Sequence, residues 1–292
     1  MNILILGKNG FIGSSLLEYF TQDKYNVIGL GRENLDLTDS NKVKNYFKQN
    51  NNFDIVINCA SESGNLNNQT YSNLTNNILI QDNILRFVKY KKLIIFGSGA
   101  EYNRENDICK FNEYDFVSLP IDFYGLSKYI NTQIARNKEN VINFRFFGCF
   151  GYNELSSRFI KTAIWQYIKK EEITILEDKE FDYFYIYDLY QLIIKILGGI
   201  MGDMWKFLQP YVELNCVYKQ KYKLSEISNI INNLSNYKVP IKILIKNAPI
   251  KNYSASGNLL NQTYGKSIKW TGLELGIKQV YDKFFNWNNS CH

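Results

Sequence analysis

The 292-residue chain is most informative at first through what it lacks. Its five cysteines, Cys59, Cys109, Cys149, Cys216 and Cys291, are widely spaced and form no C-x-x-C pair. That excludes a disulfide framework and a zinc site, and it reads as the reduced thiols of a cytoplasmic protein with no metal. Like charges never cluster into a run of five or six. With 34 Lys+Arg against 28 Asp+Glu, the scattered excess of +6 speaks against a nucleic-acid surface and against a disordered tail. The best membrane candidate, "LYQLIIKILGGIM" (189–201), is too short to span a bilayer and carries Lys195, so no membrane partner is expected. The amino terminus lacks a basic n-region, and its apolar run breaks at Gly7, so no signal peptide is expected. There is no internal repeat. The single histidine is His292, the last residue.

What is present fills a core: 45% of the residues are apolar, enough for one large α/β domain or two intimate ones. "NILILG", "NVIGLG" (26–31), "FDIVINCA" (53–60), "KKLIIFGSG" (92–99) and "NVINFRFFGCFG" (140–151) are short, nearly continuous apolar runs. Such runs suit strands buried on both faces, and helical patterns near 40–49 and 73–90 separate them. The alternation predicts a doubly wound parallel sheet. Later segments are less regular: a helix around 156–170, the strand "EITIL", the aromatic "FDYFYIYDLYQLIIKIL", and a linker at 198–210. The strand "VELNCVY" and helices near 225–234 and 274–286 follow. The expected division is a dinucleotide-binding domain over 1–152, with segments returning at about 184–218. Residues 153–183 and 219–292 would form a smaller, discontinuous α/β substrate-binding cap.

"LGKNGFIG" sets Gly7, Gly10 and Gly13 between the first strand and the first helix. Gly7 permits a tight turn, Gly10 lets backbone amides approach a pyrophosphate, and Gly13 lets the helix lie close to the sheet. The helix's positive end then faces the phosphates. Three glycines alone are a weak signal; a strand before and a periodic helix after make this a Rossmann-type turn. Where NAD-preferring folds commonly place Asp or Glu after the second strand, this chain reads "GLGREN". Arg32 occupies the region, and a guanidinium matches a 2′-phosphate. NADPH/NADP+ is therefore the expected cofactor, with Lys8 as a second cation and Glu33 as a neighbour acting the other way.

In "DFYGLSKYINTQIAR" (122–136), Leu126, Ile130 and Ile134 form an apolar stripe, while Tyr124 and Lys128 share another face. From this stretch alone, a Tyr ring packed on a Lys stem at a solvated face is the favoured reading of the pair. Taken together, however, the segments resemble an extended short-chain dehydrogenase/reductase of the nucleotide-sugar epimerase/dehydratase/reductase group. "GKNGFIG" resembles the cofactor turn, "LDLTD" (35–39) the adenine-contacting stretch, and "VINCAS" (56–61) the loop beside the cofactor ribose. "FGSGAEY" (96–102) resembles the catalytic-serine segment and "YGLSK" the Tyr-x-x-x-Lys motif. "FRFFGCFG" and "FDYFYIYDL" resemble later family segments.

The resemblance implies cofactor contacts from Gly7, Asn9, Gly10, Phe11, Ile12, Gly13, Arg32, Asp36, Leu37, Cys59, Ala60, Ser61, Asn77, Tyr124 and Lys128. It implies catalysis by Tyr124, Lys128 and Ser98, with Gly99 and Ala100 beside the substrate and Asn77 ordering Lys128 through water. A free phenol, with a pKa of about 10, is a reluctant acid at neutral pH, and an ammonium one turn away favours the phenolate. Such a tyrosine exchanges a proton with a substrate oxygen while hydride moves at the adjoining carbon. Ser98 is implied to hydrogen-bond that oxygen.

Missing residues narrow the reaction. Dehydratases of this group carry Asp and Glu directly after the catalytic hydroxyl residue, where this chain has Gly99 and Ala100. The GDP-fucose synthase type uses a Cys at the position of Ala100 and a downstream His, and both are absent. What remains resembles the CDP-abequose and CDP-paratose synthases and related reductases: NADPH-dependent reduction of a 4-keto group on a nucleotide-linked 6-deoxy sugar. The alternatives are an NAD-dependent 4-epimerase and, from another class, a non-catalytic NADP(H)-sensing protein. Arg158, near a helix start, is either a diphosphate ligand or a solvated surface Arg. The family often has Asn at Gly148 and Arg at Phe181. A homodimer through two helices per subunit, the Tyr124 helix among them, and a cytoplasmic setting in bacterial surface-glycan synthesis complete what the resemblance implies.

Overall fold

The computed structural model describes residues 1–50, 52–62, 69–200, 211–246 and 249–290. In chain order the strands begin with β1 (Asn2–Leu6), β2 (Asn26–Leu30), β3 (Phe53–Asn58), β4 (Tyr90–Ser98), β5 (Ile108–Phe111) and β6 (Val141–Phe146). They continue with β7 (Cys149–Phe150), β8 (Ile173–Glu177), β9 (Phe184–Tyr185), β10 (Tyr211–Asn215), β11 (Ile241–Ile245) and β12 (Tyr253–Ala255). The helices are α1 (Phe11–Gln22), α2 (Ser40–Gln49), α3 (Tyr71–Phe87), α4 (Phe123–Arg136) and α5 (Phe159–Ile168). After them come α6 (Ile186–Ile200), α7 (Leu224–Asn232), α8 (Asn258–Tyr264) and α9 (Gly272–Ser290).

The chain divides into two compact units. The first comprises Met1–Arg104, Glu113–Arg145 and Gly198–Leu214. The second comprises Glu105–Asn112, Phe146–Leu197 and Asn215–His292.

In the first unit six strands form one sheet in the order β2–β1–β3–β4–β6–β10. β1 pairs in parallel on both sides, Leu4 lying opposite Ile28 of β2 and Val56 of β3. β3 and β4 are also parallel. The continuous apolar runs are what such pairing requires, since helices cover both faces. Leu4, Leu6, Val56, Leu93 and Ile95 of the sheet cluster with Val43 and Phe47 of α2 and with Ile80 and Ile84 of α3. Each such side chain, fully buried, contributes about 1.5–3 kcal/mol. The strand order reverses at β1, which has β2 on one side and β3 on the other. Ligands of such sheets bind beyond the carboxyl ends of the strands at that reversal, here Leu6 and Asn58.

The long apolar run 140–151 is not one strand. β6 ends at Phe146, and β7 pairs in parallel with β9 instead. The pattern hides this break because Phe147 of the turn and Phe150 of β7 are themselves buried. α3 ends at Phe87 and β4 starts at Tyr90, so the helix is shorter and the strand longer than their apolar patterns suggest. Helix α6 continues to Ile200, into the expected linker, and 201–210 lie outside the described residues.

The second unit joins distant segments through short parallel pairs, β8 with β11 and β5 with β12. Its core is aliphatic and aromatic. Ile160, Ile164 and Tyr167 of α5 are buried together with Ile227, Ile231 and Ile277, and Tyr167 stacks on Tyr237 at 4.5 Å between centroids. Among the described residues no helix is long and apolar enough to cross a membrane.

Candidate active site

β1 runs directly into Gly7, whose φ of +80° lies in the left-handed region. A Cβ there would also sit 2.6 Å from the Ala60 amide nitrogen, so any other residue is excluded twice. A Cβ at Gly13 would strike the Gly7 carbonyl, which brings α1 tight against the turn. Gly10 differs. It is the N-cap of α1, and a Cβ on it would meet only the Gly7 oxygen at an ordinary 3.5 Å. Nothing inside the protein demands glycine there. The missing side chain instead opens the uncapped amino end of α1 to an approaching ligand. That open cradle, with the adjoining amides and the positive helix end, fits the pyrophosphate of a dinucleotide.

After β2, Glu33 folds back over the turn. Its carboxylate accepts from Asn9 Nδ2 at 2.7 Å and lies 3.2 Å from Lys8 Nζ. Its own amide first, then Lys8, holds the carboxyl below the usual range. Lys8, expected as a second cation, is thus engaged by Glu33. Arg32 stands with its side chain 69% exposed, at 3.5 Å from Glu62 and 3.9 Å from Asp36. Asp36 accepts from the Thr38 hydroxyl and amide, which hold its carboxyl low, and the buried Leu37 follows it.

At the end of β3, the Cys59 amide donates to the Leu6 carbonyl and the Ala60 amide to Asn58 Oδ1. Burial pushes the Cys59 thiol far up, against the pull of nearby Lys128, so it is a protonated packing group. Asn77 Oδ1 accepts from the Ser61 hydroxyl and the Glu62 amide, at 3.2 and 2.7 Å. Its Nδ2 donates to the Glu62 carbonyl and to Ser127 Oγ, at 2.9 and 3.1 Å. The whole amide is committed to pinning this loop to α4. Lys128 is held separately, donating to the Phe96 carbonyl at 2.9 Å.

Ser98 ends β4 and starts a tight 3-10 turn over Gly99–Tyr102. Opposite it lies the first turn of α4, capped by Asp122, which accepts from the Gly125 amide and is gripped by Arg104 at 2.6 Å. The Tyr124 amide donates to Gln69 Oε1 at 2.8 Å. A Cβ at Gly125 would fall 2.7 Å from the Ala100 carbonyl, so a glycine beside Tyr124 is what allows the helix against the Ser98 turn. Lys128 Nζ lies 5.7 Å from the Tyr124 ring centroid. The apolar stripe is not the buried face of this helix. Gly125, Ser127, Asn131, Thr132 and Ala135 are buried, while Leu126, Ile130 and Ile134 stay half-exposed.

The structure thus gathers Gly7, Gly10, Gly13, Arg32, Asp36, Cys59, Ala60, Ser61, Asn77, Ser98, Tyr124 and Lys128 in the first unit. Arg158 belongs to the second, as the N-cap residue of α5 with no side-chain cap bond. There, too, lie Phe181 and Gly148, the two departures noted in the sequence. Phe181 stacks on Tyr183 at 4.7 Å, and a Cβ at Gly148 would already meet the Tyr183 ring at 2.7 Å. An Asn side chain has no room at 148.

Several residues of this region escaped the sequence reading. Asp122 was legible as an N-cap three positions before Gly125, and Glu101 as the last letter of a Ser-x-x-Glu capping box beginning at Ser98. Glu62, which accepts from both Asn73 and Asn76, and Gln69 carry no such local signal.

A glycine cradle at a strand-order reversal, with a serine turn and a Tyr-x-x-x-Lys helix beside it, defines a nicotinamide-dependent α/β enzyme. Residues 3–200 match the NAD dependent epimerase/dehydratase family, and the chain belongs to it, as an extended short-chain dehydrogenase/reductase. Over 320 aligned residues it is 22% identical to a GDP-L-colitose synthase of Yersinia pseudotuberculosis, covering 99% of this chain and all of that one. Among solved structures it is similar to a GDP-mannoheptose C4 reductase of Campylobacter jejuni with NADP bound. The TM-score is 0.79 at 17% identity, covering 97% of this chain and 98% of that one. It is also similar to the UDP-glucose 4-epimerase of Thermus thermophilus in complex with NAD. There the TM-score is 0.76 at 17% identity, over 98% and 99% of the two chains.

Proposed function

We propose that this enzyme uses NADPH to reduce the C4 keto group of a nucleotide-linked 4-keto-6-deoxy sugar. A GDP- or CDP-linked hexose or heptose in bacterial surface-glycan synthesis, in the cytoplasm, suits it best. The observation that supports the reading is the close packing of the Ser98 turn on the first turn of the helix bearing Tyr124 and Lys128, with the neighbouring acid already engaged. The acid nearest in sequence to Ser98 is Glu101, and its carboxylate is fully occupied by the Ser98 amide and by Arg145. It has no free oxygen for eliminating water from a sugar. The half-buried Cys59, its thiol pushed far up by desolvation, is no base either.

When bound, the nicotinamide supplies the hydride. The glycine cradle holds the pyrophosphate, and Arg32 the 2′-phosphate of NADPH. Tyr124 gives the proton from its hydroxyl to the substrate oxygen, Ser98 hydrogen-bonds the same oxygen, and Lys128 keeps a positive charge beside the phenolate that forms. The C4 reductase and the colitose synthase among the similar proteins support this reading. The half-exposed stripe on α4, together with exposed Tyr71 and Leu79 on α3, supports a homodimer through these two helices.

The test is NADPH oxidation with a panel of GDP-, CDP-, dTDP- and UDP-linked 4-keto-6-deoxy sugars. No turnover with any of them sinks the reading. With the active sugar, Tyr124→Phe is expected to lower kcat by about a thousandfold and to leave NADPH affinity within about twofold. NADPH binding without turnover of any sugar, and unchanged by Tyr124→Phe, would instead fit an NADP(H) sensor. One observation favours a second reading, the 4-epimerase on tightly held NAD: Glu33 offers a carboxylate at the end of β2, where a ribose 2′-hydroxyl would bind. NAD retained through purification, with a preference for NADH, would select it.

A further inference from the structure

Behind the Ser98 turn the first unit buries three charged side chains together. Glu101, Arg145 and Glu213 are each no more than 3% exposed. Glu101 Oε1 accepts the Ser98 amide at 2.8 Å, while Oε2 accepts Nε and Nη2 of Arg145 at 3.1 and 2.8 Å. Nη2 also donates to Glu213 Oε2 at 2.8 Å. Nη1 donates to the Tyr102 hydroxyl at 2.8 Å and to the Glu113 carbonyl at 3.0 Å. Glu213 in turn binds Arg136, in the last turn of α4, at 2.5 and 3.2 Å. The array begins at the backbone of Ser98 and ends on the helix whose first turn carries Tyr124.

As a source of stability this is a poor choice, because buried ion pairs gain little over apolar side chains of the same volume. What it supplies is direction. A planar guanidinium, with its nitrogens all bonded, holds a carboxylate in one orientation, which an apolar contact does not. That carboxylate fixes the Ser98 amide and with it the hydroxyl, whose Oγ accepts from the Ala100 amide at 3.2 Å. Among the described residues the hydroxyl proton meets no acceptor, so it is left for a bound oxygen.

We propose that Glu101 and Arg145 are positioning residues: the buried guanidinium holds the Glu101 carboxylate so that the Ser98 hydroxyl faces the substrate oxygen in register with the Tyr124 helix. The inference rests on the reading of Ser98 as the hydroxyl that binds that oxygen.

Two variants test it. Glu101→Gln keeps size but turns an amide toward the guanidinium, and Arg145→Lys keeps charge but loses the fork. Each is made alone and with Ser98→Ala, and assayed with NADPH and GDP-4-keto-6-deoxymannose as probe. Amide hydrogen exchange over residues 96–103, which needs no substrate, is the second readout. In Glu101→Gln we expect kcat to fall at least tenfold, KM for NADPH to stay within twofold, and exchange over 96–103 to quicken at least tenfold. Adding Glu101→Gln to Ser98→Ala should cost nothing further. An equal loss in both backgrounds, or unchanged exchange, overturns the proposal. Wild-type kcat in Ser98→Ala sinks the catalytic reading of Ser98 alone. The exchange then decides whether the array holds the turn, with lost protection supporting it and kept protection refuting it. Should Arg145→Lys fail to fold, Glu101→Gln carries the same comparison.

Discussion

In the first unit the buried carboxylates of Glu101 and Glu213 each lie 2.8 Å from the same guanidinium. In the second, the equally buried carboxyl of Glu154 has no hydrogen-bond partner among the described residues. Arg145 is held well above its ordinary range by the carboxylates around it, against the opposing effect of burial, so it stays charged. Burial pushes Glu154 up to about 8, with the backbone dipoles at Lys161 and Gly151 and the charges of Arg158 and Lys161 pulling only weakly the other way. Asp182 of the second unit stands between these cases. It pairs with Lys221 at 2.7 Å and accepts the Ala255 amide at 2.8 Å, yet burial still lifts it to about 6. Where no cation meets it, burial lifts a carboxyl furthest, as at Glu154, and a well-placed cation limits the rise, as Lys221 does at Asp182. The first unit invests in such geometry around the turn that presents Ser98, where direction matters most.

The comparison can be broken hardest at its charged end. Arg145→Met removes the cation and leaves Glu101 facing an apolar side chain, while Glu213 keeps only Arg136. Stranding a buried carboxylate in this way destabilises by about 3–5 kcal/mol, and urea unfolding at pH 7 should report a loss of that order. A variant as stable as the wild type would show that the guanidinium is not what lets those two carboxylates lie in the core, and the contrast between the units would disappear.

The array also shows where legibility ends. Strands β1, β3 and β4 could be read because a parallel strand buried on both faces is a continuous apolar run, and the glycine turn because Gly7 and Gly13 have no steric alternative. The edge strand β2 shows the same apolar letters although Ile28 is 47% exposed. Tyr124 and Lys128 were found through the resemblance of the segments taken together, since their spacing alone also suits a Tyr ring packed on a Lys stem. Glu101, Arg145 and Glu213, by contrast, are 44 and 68 residues apart, and no periodicity links them. The same holds for β5 and β12, whose partners are about 145 residues distant, and for the aromatic turn that divides β6 from β7. Even the α4 stripe misleads if taken as the core face. The side that packs is made of small and polar residues, because Gly125 must approach the Ala100 carbonyl and Ser127 must receive Asn77.

An intermediate case sharpens the contrast. Lys221→Met leaves Asp182 with the Ala255 amide and no cation. Because that carboxyl already titrates near 6, it can escape the stranded state by protonation, so the loss should be smaller than for Arg145→Met, about 2 kcal/mol at pH 8. The sign with pH follows from the raised value. Asp182's contribution is fully present below its unfolded value of 3.8 and is lost as pH rises through about 6. Removing Lys221 lifts the carboxyl further, so the gap between variant and wild type should narrow at pH 5 and widen at pH 8. A gap that is constant with pH would show that Lys221 acts through its packing and not its charge.

The smallest effect belongs to Glu154. Its folded carboxyl titrates near 8 against 4.5 in the unfolded chain, so between these values the folded state holds the extra proton. Stability from this group is present below about 4.5 and is lost as pH rises through about 8. Glu154→Gln keeps the shape and has no proton to lose. At pH 5 the two proteins should melt within about a degree of each other, whereas at pH 8.5 the variant should melt a few degrees higher. Asp182 and every other titrating group are common to both, so they cancel in the difference. Parallel melting curves from pH 5 to 8.5 would mean that the Glu154 carboxylate is as well partnered as those of Glu101 and Glu213. The second unit would then handle buried charge no differently from the first.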